Sequence, residues 1–337
     1  MKFTNKSQAV LLGLALVSLS FTLFASTKTP AITSLLQAPS QWESEHFQDH
    51  PLVGSVWRGD GKASNWQDLA IALEAAQLVL VGEVHPNVDH HRLQASVLAY
   101  VAASTKLPTV VWEMIPSTRQ SDLDDWVMAT APDASALGQA LEWSDSGWPA
   151  WEMYQPIAEV AALHQLKMTG TALPRETMMN IGRHGANGVD EQLQARLHLD
   201  VALDQHAHAG LMDSLREGHC GLMPDEALIN MAIAQRARDG AMASAMLGED
   251  GKQASVLIAG NAHVRNDWGV AGLLNMLMPQ AEILSIAQIE VSADEPDPNF
   301  YLEWHDSGDG YDFVVFTPKA EIKDYCAELR KQFGKEE

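Results

Sequence analysis

The sequence predicts an α/β protein with a largely parallel core sheet, two related strand–Gly-x-x-His units and a helical insertion. Two apolar runs, 78–81 and 255–259, have the length and aliphatic composition of strands buried on both faces. Each run leads directly into a Gly-x-x-His motif, which ends at His85 in the first case and at His263 in the second. Between the two units, residues 186–248 show only helical patterns, so we expect them to form an insertion that acts as a lid or a dimer surface.

The remaining elements follow in order along the chain. Turn residues near 58–62 predict a small hairpin, and Asn65 is expected to cap a helix over 66–76 because leucines recur there at helical spacing. The same criteria predict further helices at 90–104, 121–128, 154–165 and 320–334. They predict further strands at 109–112, 167–171, 283–289 and 312–317.

Polar side chains that follow the predicted strands indicate a site at one edge of the sheet. Ligands of parallel sheets bind beyond the carboxyl ends of the strands, where both motif histidines are expected. Glu113 follows its strand in the same way, and Glu83 lies two residues before His85. We therefore expect His85 and His263 to lie close together with Glu113 between them, and the glycine of each motif to let the backbone turn sharply.

Two carboxylates and two imidazoles in one place suit two kinds of chemistry. They could bind a divalent metal ion, or each carboxylate could orient a histidine. A metal site formed by Glu83, His85, Glu113 and His263 would predict a hydrolase in which the ion polarises water. A single histidine after a strand is more often an ordinary loop residue, and it is the repeated context that favours a site. The sequence has no His-Glu-x-x-His motif that would support a metallopeptidase independently.

Composition limits the ligand classes and leaves the cysteines undecided. The chain has 337 residues and a formal net charge of −22, which disfavours binding to nucleic acid. Several tryptophans cluster at 143–151 and are expected to form an aromatic surface, to fill the core, or both. Cys220 and Cys326 could pair in an oxidising compartment, but their positions in the sequence fit two unpaired cysteines equally well.

The first residues are typical of an export signal. Two lysines precede an apolar stretch from residue 9 to residue 25, which predicts either a cleaved signal peptide (1–25) or an uncleaved anchor. No cysteine follows this stretch, so we expect an exported, periplasmic or anchored protein that is not a lipoprotein. Residues 26–50 are predicted to be a tether, 51–320 a single domain, and 321–337 a C-terminal tail helix.

Taken in order, these motifs resemble those of the ChaN-like family within the haem-binding uptake and Tiki superfamily. The superfamily signature is two Gly-x-x-His motifs with a glutamate between them, which correspond here to His85, Glu113 and His263. Further matches to the ChaN-like branch lie at 147–156, 173–175, 219–224 and 234–243. The resemblance covers roughly residues 50–290 and implies an α/β core with a helical insertion.

The resemblance also implies a function and a cofactor. Members of the family bind haem in bacterial iron uptake, with two stacked haems between two subunits. Their iron is held by a tyrosinate, a hard anionic ligand that suits iron(III), and a histidine and a lysine of the partner subunit contact the propionates. This chain departs from the lipoprotein form of the family because it lacks an N-terminal cysteine. No single lysine can be matched to the propionate contact.

Within that resemblance, Tyr154 is the candidate haem ligand because it falls in the tryptophan-rich segment at the expected mouth of the site. The alternative is a tyrosine whose hydroxyl caps a neighbouring backbone group. His208 and His219, in the insertion, are further candidate haem contacts, although solvated helix faces are the commoner setting for such histidines.

The sequence therefore favours an exported haem-binding protein of iron acquisition over an enzyme. We expect a haem-dependent homodimer, and an outer-membrane haem or iron uptake receptor is a candidate partner. A divalent-metal-dependent hydrolase is the alternative.

Overall fold

Eight strands form one sheet in a computed structural model that describes residues 36–104, 107–303 and 310–332. The strands are β1 (Val56–Arg58), β2 (Ala63–Ser64), β3 (Leu78–Glu83), β4 (Thr109–Pro116), β5 (Met168–Ala172), β6 (Ser255–Gly260), β7 (Ile283–Glu290) and β8 (Phe313–Thr317). Their order across the sheet is β2-β1-β8-β7-β3-β6-β4-β5. Strand β1 runs antiparallel to β2 and β8, and the other neighbouring strands are parallel.

Helices cover both faces of this sheet. They are α1 (Trp66–Ala75), α2 (Val88–Ala102), α3 (Gln120–Met128), α4 (Ala134–Ala140), α5 (Trp151–His164), α6 (Arg175–His184), α7 (Glu191–Arg196), α8 (Gln205–Gly218), α9 (Asp225–Leu247), α10 (Val270–Leu277), α11 (Pro298–Glu303) and α12 (Tyr325–Gln332). None of the helices in the described part of the chain has the length and apolar character that crossing a membrane requires.

Alternation along the central strands creates two hydrophobic cores. In β3, Val79 and Val81 pack into the core that contains α2 and α5, whereas Leu78 and Leu80 pack into the core that contains α9 and α10. Both sets are buried because successive side chains of a strand point to opposite faces. This explains why the central strands are mainly apolar runs in the sequence. The few buried polar side chains inside them, such as Ser285 and Gln288 in β7, are hydrogen-bonded.

The predicted fold class is confirmed, and the helical insertion differs only in its start. Strand β5 ends at Ala172, and α6 begins at Arg175 rather than near residue 186. Four helices, α6 to α9, then separate β5 from β6. The hairpin and the Asn65 cap are also present, since Asn65 accepts hydrogen bonds from the amides of Gln67 and Asp68.

The described part of the predicted tether packs against the domain. The backbone amides of Glu43 and Ser44 donate to the carboxylate of Asp89 at 2.8–3.1 Å, and Ser44 is buried. His46 forms a β-bridge with Lys319. Residues 43–46 are therefore held by backbone hydrogen bonds, which polarity alone did not indicate. The predicted signal peptide or anchor (1–25) and the first part of the tether lie outside the described residues.

A disulfide bond joins two distant parts of the chain. Cys220, which follows α8, is bonded to Cys326 in α12, with their Cα atoms 5.6 Å apart. The pairing that the sequence left open is thus present, and it ties the C-terminal helix to the helical insertion.

Candidate functional site

The register of three strands brings the predicted site residues to one edge of the sheet. Strand β6 lies between β3 and β4, and Glu83 at the end of β3 is level with Gly260. Trp112 of β4 is level with Ile258, so Glu113 follows at the same edge. Glu83, at the end of β3, and Glu113, just beyond the part of β4 that pairs with β6, therefore lie on either side of Gly260.

The first glutamate is the centre of a buried cluster that we call the Glu83 cluster. Its Oε1 atom accepts hydrogen bonds from His85 Nδ1 at 2.6 Å and from the hydroxyl of Tyr154 at 2.9 Å. Its Oε2 atom lies 3.1 Å from Nδ1 of His91. The other ring nitrogen of His91 lies 2.9 Å from the carbonyl oxygen of His85. Both nitrogens of His91 thus face acceptors, an arrangement that favours the imidazolium form.

This geometry keeps Glu83 charged although it is buried. Burial alone would raise the pKa of Glu83, but the charge of His91 and the hydrogen bond from His85 lower it well below its usual range. Burial would likewise lower the pKa of His91, and the Glu83 carboxylate raises it instead. The cluster is therefore an internal ion pair from which His85 extends, one third exposed.

The second glutamate is the centre of a matching Glu113 cluster. The Oε2 atom of Glu113 accepts a hydrogen bond from the amide of Gly260 at 2.7 Å. The Oε1 atom contacts Arg238 and lies 3.2 Å from Nε2 of His263. Nδ1 of His263 lies 2.5 Å from a carboxylate oxygen of Asp239. His263 is thus held between two carboxylates and, like His91, has acceptors at both ring nitrogens.

The charges of the Glu113 cluster follow from these contacts. Burial would raise the pKa of Glu113, but His263 and Arg238 lower it to about 2. Burial would lower the pKa of His263, but Glu113 and Asp239 raise it to about 9. Burial raises the pKa of Asp239, and His263 acts in the opposite direction. At neutral pH the cluster therefore carries an imidazolium and a guanidinium beside buried carboxylates.

The glycines of the two motifs are needed for space and not for a sharp turn. Gly260 ends β6 in extended backbone with a φ of −62°. A Cβ atom there would lie 3.1 Å from Nε2 of His85 and 3.7 Å from a carboxylate oxygen of Glu113. Gly82 lies within β3, where a Cβ would collide with the side chain of Asn261. The expected turn is therefore wrong, and close packing between the clusters is the reason for glycine.

Both clusters open onto one large space, which we call the sheet-edge cavity. Its volume is about 1190 Å³, slightly above the range of about 300–1,000 Å³ typical of ligand pockets. Trp148 packs on His85 with ring centroids 4.7 Å apart. The apolar part of the wall consists of Pro86, Trp148, Pro149, Met153 and Ile289.

A further part of the cavity lining comes from residues 319–325. Lys319, Lys323 and Tyr325 line it together with Glu321. The side chain of Tyr325 is 53% exposed. The cavity thus combines an apolar wall, an imidazole, an accessible phenol and several cationic groups.

The three residues predicted to contact haem do not line this cavity. Tyr154 is fully buried, and its hydroxyl is bonded to Glu83 within a ring cluster that includes His91, Trp112 and Trp143. The predicted position of Tyr154 at the mouth of the site is therefore wrong, because its ring fills the core between α5 and the sheet. His208 is an exposed residue of α8, and His219 ends that helix with Nδ1 2.8 Å from the carbonyl oxygen of Leu215.

The alternative metal site is not formed. Among the described residues, no group of three or more His, Cys, Asp or Glu side chains is arranged to hold an ion. Glu83, His85, Glu113 and His263 share the cavity but divide into two clusters, and an arginine occupies one oxygen of Glu113. The four residues therefore do not form the metal site that the hydrolase hypothesis requires.

Several site residues received no role from the sequence. Gln235 lies three residues before Arg238 and four residues before Asp239, so its side chain neighbours each of theirs on α9. Charged residues on one face of an alanine-rich helix are a signal that could have identified them. His91 lies at the start of α2 beside His90, and only the loop geometry directs it to Glu83.

Comparison with protein-family models identifies a match over residues 69–274, to the family described as haem-binding uptake, Tiki superfamily, ChaN. This range includes both clusters. No curated protein matches the sequence.

Comparison with solved structures finds the same fold in a ChaN structure and weaker similarity to two others. A structure that describes cofacial haem binding to ChaN of Campylobacter jejuni matches with a TM-score of 0.60 at 20% identity, covering 82% of this chain and 98% of that chain. The type III effector HopBA1 matches with a TM-score of 0.41 at 14% identity, covering 80% of this chain and 99% of that chain. The erythromycin esterase EreC in its open conformation matches with a TM-score of 0.43 at 12% identity, covering 81% and 99%.

Proposed function

The chain belongs to the family described as haem-binding uptake, Tiki superfamily, ChaN, and from that premise we propose that it binds ferric haem in the sheet-edge cavity. The observation that carries the proposal is the composition of the cavity wall. A porphyrin has apolar faces, two carboxylates and a metal that accepts imidazole or phenolate ligands. The cavity offers Trp148 and its apolar neighbours for the faces and Lys319, Lys323 and Arg238 for the carboxylates.

Tyr325 is the tyrosine that best fits the iron ligand expected in this family. Its phenol is accessible from the cavity, whereas that of Tyr154 is buried and bonded to Glu83. Burial and the negative charge of Glu83 raise the pKa of Tyr154 far above its usual range, which opposes a tyrosinate there. Partial burial and Glu321 also raise the pKa of Tyr325, so a ferric ion would have to drive the loss of its proton.

His85 is the second candidate for an iron ligand. Glu83 holds Nδ1 of its ring, which leaves Nε2 on the side toward Gly260. A carboxylate that orients an imidazole in this way is common for metal-binding histidines. The two candidates make different predictions for the visible spectrum, because phenolate and imidazole give ferric haem different charge-transfer bands.

The cellular role that we propose is haem or iron acquisition outside the cytoplasm. The signal-like residues 1–25 and the Cys220–Cys326 disulfide both support an exported protein, since structural disulfides persist mainly in oxidising compartments. We further propose that two copies of the chain form a homodimer that buries haem between them. An outer-membrane uptake receptor is the proposed source or recipient of the haem.

Haemin titration of the exported form tests the proposal. We expect stoichiometric binding, and Tyr325→Phe should weaken it about tenfold or more and remove tyrosinate-like charge-transfer bands, because only the phenolic oxygen is lost. Tyr100→Phe is the matched control, since Tyr100 donates to Glu74 away from the cavity. It should leave affinity and spectrum unchanged. An intact spectrum in Tyr325→Phe, together with a loss in His85→Ala, would transfer the ligand role to His85. No spectral change in the unmodified protein would refute haem binding.

A further inference from the structure

The cavity wall that carries Tyr325 belongs to a segment with little packing of its own. We call residues 321–332 the C-terminal segment. All of its residues are exposed except Cys326 and Leu329, which are half-buried. It nevertheless supplies Glu321, Lys323 and Tyr325 to the cavity. A segment that forms part of a binding site while burying little apolar surface needs another source of order.

Its hydrogen bonds do not supply that order. Within the described chain, each hydrogen bond or ion pair that involves this segment joins two of its own residues, such as Tyr325 to Glu321 and Lys323 to Glu328. The last residues tied to the domain come just before it: Lys319 bridges to His46, and the amide of Ala320 donates to Glu290. For the described residues 321–332, the covalent bond between Cys326 and Cys220 joins the segment to the rest of the fold.

The described part of the helix in this segment begins beside the cavity. Helix α12 is described from Tyr325 to Gln332, and its first residue is the cavity-lining Tyr325. Cys326 is the second residue of α12 and directly follows Tyr325. The disulfide therefore fixes the helix at the end that faces the cavity.

We propose that the Cys220–Cys326 disulfide is a redox-sensitive clamp that holds the tyrosine-bearing wall of the cavity and thereby sets its affinity for haem. This rests on the proposed function. With the bond intact, Tyr325 and Lys323 are held ready to contact a ligand. With the bond broken, both side chains must be ordered again on binding, which lowers affinity.

The clamp opens by thiol–disulfide exchange with a dithiol. One thiolate of the dithiol attacks a sulfur of the bond and releases the other cysteine as a thiolate, which is then protonated. The second thiol of the reductant displaces the first cysteine and closes its own disulfide. Two electrons and two protons pass to the protein, which ends with two free thiols, and the oxidised dithiol leaves.

The first test needs no haem. Hydrogen–deuterium exchange of the α12 amides is compared between the oxidised protein and protein that has been reduced and alkylated. We expect α12 to exchange much faster once the bond is broken, while the amides of α9 stay protected. The Cys220→Ser, Cys326→Ser double variant should match the alkylated protein. Protection of α12 that survives reduction would overturn the clamp whether or not the protein binds haem.

The second test measures haemin affinity in the same three forms. Reductant is removed and thiols are alkylated before haemin is added, since free thiols bind haem iron. The dissociation constant should rise about tenfold in the alkylated protein and in the double cysteine variant. Adding Tyr325→Phe to the double cysteine variant should raise the dissociation constant by a smaller factor than Tyr325→Phe does in the oxidised protein, because both changes act on one contact. Equal affinity in all three forms contradicts the clamp but leaves haem binding intact, whereas absent binding in the oxidised protein refutes the proposed function.

Discussion

Two histidines define the electrostatics of the site because each has acceptors at both ring nitrogens. His91 lies between Glu83 and a carbonyl oxygen, and His263 lies between Glu113 and Asp239. A buried glutamate at a strand end would normally be costly. Here each glutamate has a histidine with a raised pKa beside it, so β3 can end in a buried carboxylate and β4 can carry one within the strand.

The pKa of His263 predicts how stability changes with pH. A raised pKa in the folded state gives stability that is fully present below the unfolded value of 6.5 and is lost as the pH rises through about 9. We expect the free energy of unfolding to fall over this window by an amount on the order of 1–3 kcal/mol. Denaturant unfolding between pH 6 and 9.5 measures it. The slope should decrease clearly in His263→Gln, leaving the contribution of His91, whose pKa is also raised. It should persist in full in His208→Gln, which changes an exposed histidine. An undiminished slope in His263→Gln would contradict the assignment.

The sequence predicts the residues at the strand ends better than those that reach them from helices. Glu83, His85, Glu113 and His263 follow directly from their strands, and the structure brings all four to one cavity. Asp239 is 24 residues from its partner along the chain, and its contact depends on how α9 packs against the sheet. Such a pairing is set by tertiary structure and has no local pattern.

At the scale of elements, Asn87 connects three segments around the His85 loop. Its side chain caps α2 by accepting from the amides of Asp89 and His90, accepts from Ser44, and donates to Glu290 and to the carbonyl of Pro318. His90, whose pKa burial lowers to about 3, adds a contact at 2.7 Å to Thr317. The loop is therefore fixed by the strands β7 and β8 as well as by its own helix.

Replacing Asn87 separates this role from simple capping. Asn87→Ala should destabilise the protein by about 2–4 kcal/mol, since it removes a cap worth about 1 kcal/mol and leaves buried partners unsatisfied. Asn65→Ala is the matched control, because Asn65 caps α1 in the same way at an exposed position. It should cost only about 1 kcal/mol. Chemical denaturation of both variants checks this, and equal losses would mean that Asn87 is only a cap.

Most elements could be predicted because buried and exposed residues recur along them at the spacing of a helix or a strand. The buried strands appear as apolar runs, and α1 has both a cap and leucines at helical spacing. The C-terminal segment could not be placed in this way. Its position over the cavity depends on a bond between residues 106 positions apart, and its residues are as polar as those of any solvated tail.

At the scale of the whole molecule, charge opposes self-association while haem would favour it. The formal net charge is −22. An open cavity covers one side of a planar ligand, so a second copy is the simplest cover for the other side. We expect dimerisation to depend on haem and to strengthen with salt, because charge repulsion is screened beyond about 10 Å at 0.1 M.

Sedimentation measures this association. The exported form should remain monomeric without haemin and should dimerise with it, more tightly at 0.5 M than at 0.05 M sodium chloride. The Tyr325→Phe variant should dimerise less at equal haemin, because it binds less ligand. A loaded species that stays monomeric at every protein concentration would exclude a shared site.

The strand order also determines when the site can form as the protein folds. Strand β3 is flanked by β6 and β7, so residue 78 must pair with residues 255 and 283. Contacts between such distant parts of the chain form slowly, since a long loop has to close before they are made. The Glu83 and Glu113 clusters can come together only after α6 to α9 have been synthesised and β6, which follows them, has paired with β3 and β4. A nascent chain therefore has no cavity, and any ligand has to bind after folding instead of guiding its first steps.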